Sequence, residues 1–204
     1  MSSLPLVRAR VLGAAALVSP ALLLLSTIVS VLGGGLAFDQ PGGILQVWAM
    51  AGFFLAFAGV AALVEPRMPR AAALLLLVGA AGSAGGVAYG INTIYATLGE
   101  VNLNLNVDGL AGIVALKGPG LFFPAALLTA GASLFLAHVG PRWTGLALIV
   151  AAVLFPVSRI GSIDLLAPVP DVLVLLGFAP AGLALLAGGA SEPRRANAPA
   201  RAGA

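Results

Sequence analysis

Cysteine is absent, histidine occurs once, and charged residues fill only 8% of the 204 positions. Without cysteine there is no disulfide, thiolate metal ligand, Fe–S cluster or thiol nucleophile. The single histidine, His138, excludes a bis-histidine haem or a histidine-rich metal site within one chain. The single lysine, Lys117, falls between apolar segments, which argues against a retinal-type Schiff base inside a helix bundle. No cofactor is expected. The isoelectric point is near 10.2, yet the basic residues are dispersed in short loops and form no cluster with interleaved aromatics, so nucleic acid is not an expected partner. Enzyme templates are missing as well: there is no Gly-x-Ser-x-Gly elbow, phosphate-binding loop, H-E-x-x-H motif or dinucleotide fingerprint. Gly82-Ser83-Ala84-Gly85-Gly86 superficially resembles a nucleotide loop but lies inside a hydrophobic run with no strand before it. Ser133 and His138, five residues apart, would point to different faces of one helix.

What is abundant is apolar surface. Hydrophobic residues make up 60% of the chain before glycine is counted, against roughly 45–50% with glycine included, and about 25% charge, in soluble domains. Ten Lys+Arg and seven Asp+Glu cannot coat a soluble globule of this length, so lipid must be the solvent for most of the surface. Apolar runs fall at about 11–33, 44–64, 71–95, 119–139, 144–161 and 168–188, each near the 17–25 residues that cross the hydrocarbon core as a helix. The alternation of a membrane β-barrel is absent. The expected fold is therefore all-α: a polytopic bundle of six transmembrane helices in one domain, 1–190, followed by a basic tail at 191–204 expected to be disordered. Arg8 and Arg10 ahead of the first run imitate a signal peptide, but about 23 apolar residues exceed the usual h-region of roughly 7–15, so that run is read as a retained helix.

Loop charge gives the orientation. Arg8, Arg10, Arg67, Arg70, Arg142, Arg194, Arg195 and Arg201 fall on the side of the termini, and only Arg159 and Lys117 on the other. Both termini are thus expected in the cytoplasm. Nine of the ten basic residues are arginine, and alanine and glycine are frequent, the bias of a GC-rich coding sequence; the expected location is a bacterial plasma membrane. Trp48, Tyr95 and Trp143 fall near expected interfaces, where amphipathic rings settle. A shift of 72 residues aligns the hairpins of helices 2–3 and 4–5, placing Ala58-Gly59 on Ala130-Gly131 and Pro69-Arg70 on Pro141-Arg142, which fits an internal duplication or chance among small residues. The outer connection at about 96–118 is longer than the roughly 12–15 residues common for plain loops; it reads as a cap over the bundle or as a lid.

Gly82, Gly86 and Gly90 form a stripe of small residues, a surface for close helix approach. It reads first as packing within the chain, with helix 3 as the candidate central helix, and alternatively as the contact for a homo-oligomer or a membrane protein partner. Asp171 is the acid nearest lipid depth, which makes it a functional-site candidate, although Pro168-Val169-Pro170-Asp171 also reads as a helix start with an acid in the first turn. With Arg159, Asp164 and Asn92 it makes a candidate outer polar site. His138 and Glu65 read as interface anchors. Pro20, Pro156 and Pro180 lie within spans, but the interruptions in helices 1 and 6 do not match the pairing an inverted repeat requires. The leading functional expectation is a non-catalytic accessory, sensory or scaffold component of the membrane. The alternative is a small-solute transporter or channel subunit with an outward-facing polar site.

Overall fold

In a computed structural model the chain is described over residues 5–33, 35–36, 39–99, 114, 118–161 and 163–188. The tail at 191–204, Lys117 and most of the long connection at 96–118 lie outside the described residues. The described residues form six helices: α1 (Leu6–Leu32), α2 (Gln40–Val64), α3 (Pro69–Gly99), α4 (Gly118–Leu136), α5 (Arg142–Ile160) and α6 (Pro168–Gly188). All six are long and apolar enough to cross a membrane. The helices run past the apolar limits at half of their ends, where a chain leaving hydrocarbon keeps its backbone paired by staying helical. At α4 the helix stops three residues early instead, where His138 takes a positive φ of 52° and the chain turns. The His138 Nδ1 lies 2.9 Å from the Leu136 carbonyl oxygen and its Nε2 3.1 Å from Arg142 Nη2. This pairing suits the tautomer with hydrogen on Nδ1 and makes the residue a local anchor of the turn.

The helices follow one another around a closed ring, each packed antiparallel on the next in sequence, with α6 returning to α1. Glycine sets the register of alternate interfaces. Gly13 and Gly182 oppose each other across α1/α6, Gly43 and Gly90 across α2/α3, and Gly131 and Gly145 across α4/α5. Close backbone approach is what binds helices in lipid, where burying an apolar side chain gains little over leaving it in the bilayer.

Helix α3 is not the central helix. It packs on α2 and α4, whereas α2 packs on α1 and α3 and also reaches α4 and α6 across the interior. The glycine stripe explains the difference. Each four-residue step turns the helix direction by about 40°, so Gly82 faces the Phe123 backbone of α4 while Gly86 and Gly90 face Met50 and Val47 of α2. The stripe is filled from within the chain by two different neighbours. The hairpin alignment has no packing counterpart at its glycines: Gly131 meets Gly145, but Gly59 meets Leu12 and Leu185.

The interior is filled by phenyl rings. Phe53 and Phe57 of α2 make edge-on contacts with Phe123 of α4 and Phe178 of α6, with centroids 5.0–6.0 Å apart. All four rings are fully buried. Tilted and edge-to-face arrangements are the favourable ones for aromatic quadrupoles, and the cluster closes the bundle around the middle of α2.

At the end of the bundle away from Leu6 and Gly188, Asp39 caps α2. Its carboxylate accepts from the Gly42 amide (2.6 Å) and the Ser30 hydroxyl of α1 (3.2 Å), while the Ser26 hydroxyl donates to the Gly42 carbonyl (2.7 Å). Asp39→Ala removes the cap and orphans the Ser30 hydroxyl. The expected loss is about 1 kcal/mol, read as a lower unfolding temperature in detergent, and Asp39→Asn should retain most of the wild-type value.

Candidate functional site

Two helix ends and one helix face build the site. Pro168 and Pro170 start α6 with φ already fixed for a helix, which places Asp171 in its first turn, at the positive end of the helix dipole. Arg159 stands in the last turn of α5, at the negative end of that dipole. The short connection between the two helices brings these ends together. Arg159 Nη2 donates to Asp171 Oδ2 at 3.0 Å and to Thr27 Oγ1 of α1 at 2.6 Å. The Thr27 hydroxyl in turn donates to Asp171 Oδ2. One hydroxyl therefore accepts from the cation and donates to the anion. The guanidinium also lies 5.1 Å from the Phe155 ring centroid, a cation–π distance. Phe155 leans on Phe123 at 5.0 Å, so the polar cluster rests on the phenylalanine core.

The side chain of Asp171 is 0% exposed and that of Arg159 11%. Tyr89 of α3, half-buried, is within electrostatic range of the guanidinium. Two atoms of the pair are buried with no hydrogen-bond partner among the described residues, Asp171 Oδ1 and Arg159 Nε.

Of the four residues expected at an outer polar site, the fold brings Arg159 and Asp171 into direct contact. Asp164 is exposed in the turn that leads to α6, and Asn92 is buried on α3, one turn beyond Tyr89. Thr27 was not singled out by sequence reasoning. Its signal was available: Ala9, Leu12, Ala16, Ser19, Leu23, Ser26 and Ser30 follow one another at alternating steps of three and four, all buried. That spacing marks the inward seam of a left-handed bundle, and Thr27 lies beside it.

No family model matches this chain, and no curated protein or solved structure matches it. The chemistry must therefore be read from the residues alone. A carboxylate held by a guanidinium and a hydroxyl can carry charge or bind a proton. Ser133 is buried in α4 and His138 is exposed in the following turn, so the two do not form a dyad. No group of three or more metal-ligating side chains occurs among the described residues. Pro124 adds a fourth intrahelical proline to Pro20, Pro156 and Pro180. Helices α1 and α4 are thereby matched, but α3 has no counterpart to Pro180, and the inverted-repeat pairing still fails.

Proposed function

We propose that this protein is a non-catalytic component of a bacterial plasma membrane, accessory, sensory or scaffold in role, with both termini in the cytoplasm. The observation that carries this reading is the closed interior. The one buried ion pair among the described residues is spent on itself and on Thr27, and the space beneath it is packed with phenyl rings. Intramembrane charges that work on a substrate normally face a water-filled path. The orientation rests on Arg8, Arg10, Arg67, Arg70 and Arg142, all exposed at the end of the bundle that carries Leu6 and Gly188.

A transporter or channel subunit is the second reading, and Asp171 Oδ1 and Arg159 Nε favour it, because open hydrogen-bonding capacity inside a membrane protein suits an arriving solute. Single cysteines separate the two in this cysteine-free chain. With an impermeant maleimide outside intact cells, Leu165→Cys, 90% exposed in the outer turn, should label, and Leu22→Cys, packed against the core, should not. Labelling at both positions supports the transporter reading. Failure at position 165 with labelling at Arg67→Cys would reverse the orientation.

A further inference from the structure

The contact between α1 and α6 differs from every other contact around the ring. The five remaining pairs of ring neighbours are consecutive in sequence and joined by a connection, whereas α1 and α6 are not consecutive and meet only through side-chain and backbone contacts. The two ends of this seam are held in different ways. At the end near the termini, Gly13 and Gly182 bring the backbones together, and a Cβ at either glycine would stand within 3 Å of the other's carbonyl oxygen. At the opposite end, about 21 Å further along α1, Thr27 meets Arg159 and Asp171. Between them lie Pro20, midway along the α1 stretch, and Pro180, just before Gly182. Each proline removes one helical hydrogen bond and frees the carbonyl four residues earlier, which are the ordinary causes of a bend in a helix.

We infer that the α1/α6 seam is a hinged gate, pivoting at Gly13–Gly182 and latched at its far end by the Thr27 hydroxyl. At the latched end, opening breaks the two hydrogen bonds of Thr27 and the local packing of α1 on α6. The Arg159–Asp171 pair stays intact, because both partners belong to the α5–α6 hairpin. Each charge also keeps the helix dipole that favours it. Once released, Thr27 can turn its hydroxyl to the carbonyl four residues earlier, as Thr93, Thr97 and Thr129 already do in their own helices. Opening also lets water reach Asp171 Oδ1 and Arg159 Nε, which have no hydrogen-bond partner among the described residues, and this offsets part of what is lost. A fully satisfied network would lock the seam; this one leaves it releasable. The gate goes beyond the functional reading above and holds for a scaffold or a transporter alike.

Distances between nitroxide pairs test it in the full chain reconstituted in lipid nanodiscs. The first pair is Leu32→Cys with Val169→Cys, across the latched end; the second is Val7→Cys with Leu183→Cys, towards the pivot. All four positions are exposed. Thr27→Val keeps the shape of the side chain and removes the hydroxyl. It should add a longer-distance population to the first pair and leave the second unchanged, and Thr27→Ser should return the first pair to its wild-type distribution. An unchanged first pair in Thr27→Val overturns the gate. So does a shift of both pairs together, which would mean general loosening or misfolding and no hinge.

Discussion

Replacing Arg159 with methionine is expected to cost about 3–5 kcal/mol, because it leaves the Asp171 carboxylate buried with no cation. The side chain of Asp171 is 0% exposed, so water cannot substitute for the lost partner without opening the helix ends. The Thr27 hydroxyl still donates to it, but a single neutral donor does not replace a charge. Asp171→Leu should be comparably damaging, with the guanidinium stranded at 11% exposure over Phe155. The double variant Arg159→Met/Asp171→Leu should recover most of the stability, since two apolar side chains of similar volume remove the desolvation cost along with the attraction. Unfolding of the four proteins in mixed micelles gives the coupling energy directly. Additive single effects would show that the pair is not formed.

The second large effect concerns glycine, and the position decides its size. A Cβ at Gly131 or Gly145 would stand 2.6 Å from the carbonyl oxygen of the other. Both obstacles are backbone, so α4 and α5 must separate along their whole contact. Gly131→Ala is expected to cost about 2–3 kcal/mol, the upper part of the range for overpacking. Gly86→Ala meets the Met50 side chain, with Sδ at 2.5 Å and Cγ at 2.6 Å. An unbranched thioether can swing aside, and the expected cost is about 1 kcal/mol or less. Thermal unfolding of both variants in one detergent should therefore rank Gly131→Ala well below Gly86→Ala. Equal losses would contradict the packing register described for α4/α5.

The span count was legible in the sequence because the bilayer demands long apolar runs and polar or proline-containing segments separate them here. Arg159 and Asp171 were legible for the opposite reason: charge is so scarce in this chain that every charge near a helix end stands out. Which face of each helix looks inward was not legible. In Phe53-Phe54 and Phe122-Phe123 one ring of each pair is buried and its neighbour faces outward. Composition cannot separate them, since lipid accepts a phenyl group as readily as a protein core does. The same uniformity hid the central role of α2 and lent α3 undue weight, because glycine is conspicuous and phenylalanine in a membrane span is not. Thr27 was hidden for a further reason. A threonine in a membrane helix ordinarily bonds its own backbone, and only the meeting of α1 with the α5–α6 hairpin turns this hydroxyl to another use.

Hydrogen exchange of the protein in lipid nanodiscs tests the central claim, that the bundle interior is closed and dry. Helix α2 reaches across that interior, and its segment from Met50 to Phe57 carries the rings that fill it. The backbone amides of this segment should take up no deuterium over hours, while those in the last turn of α5 around Arg159 exchange measurably from the nearby end of the bundle. Rapid uptake between Met50 and Phe57 would reveal water at the centre of the bundle and contradict the account.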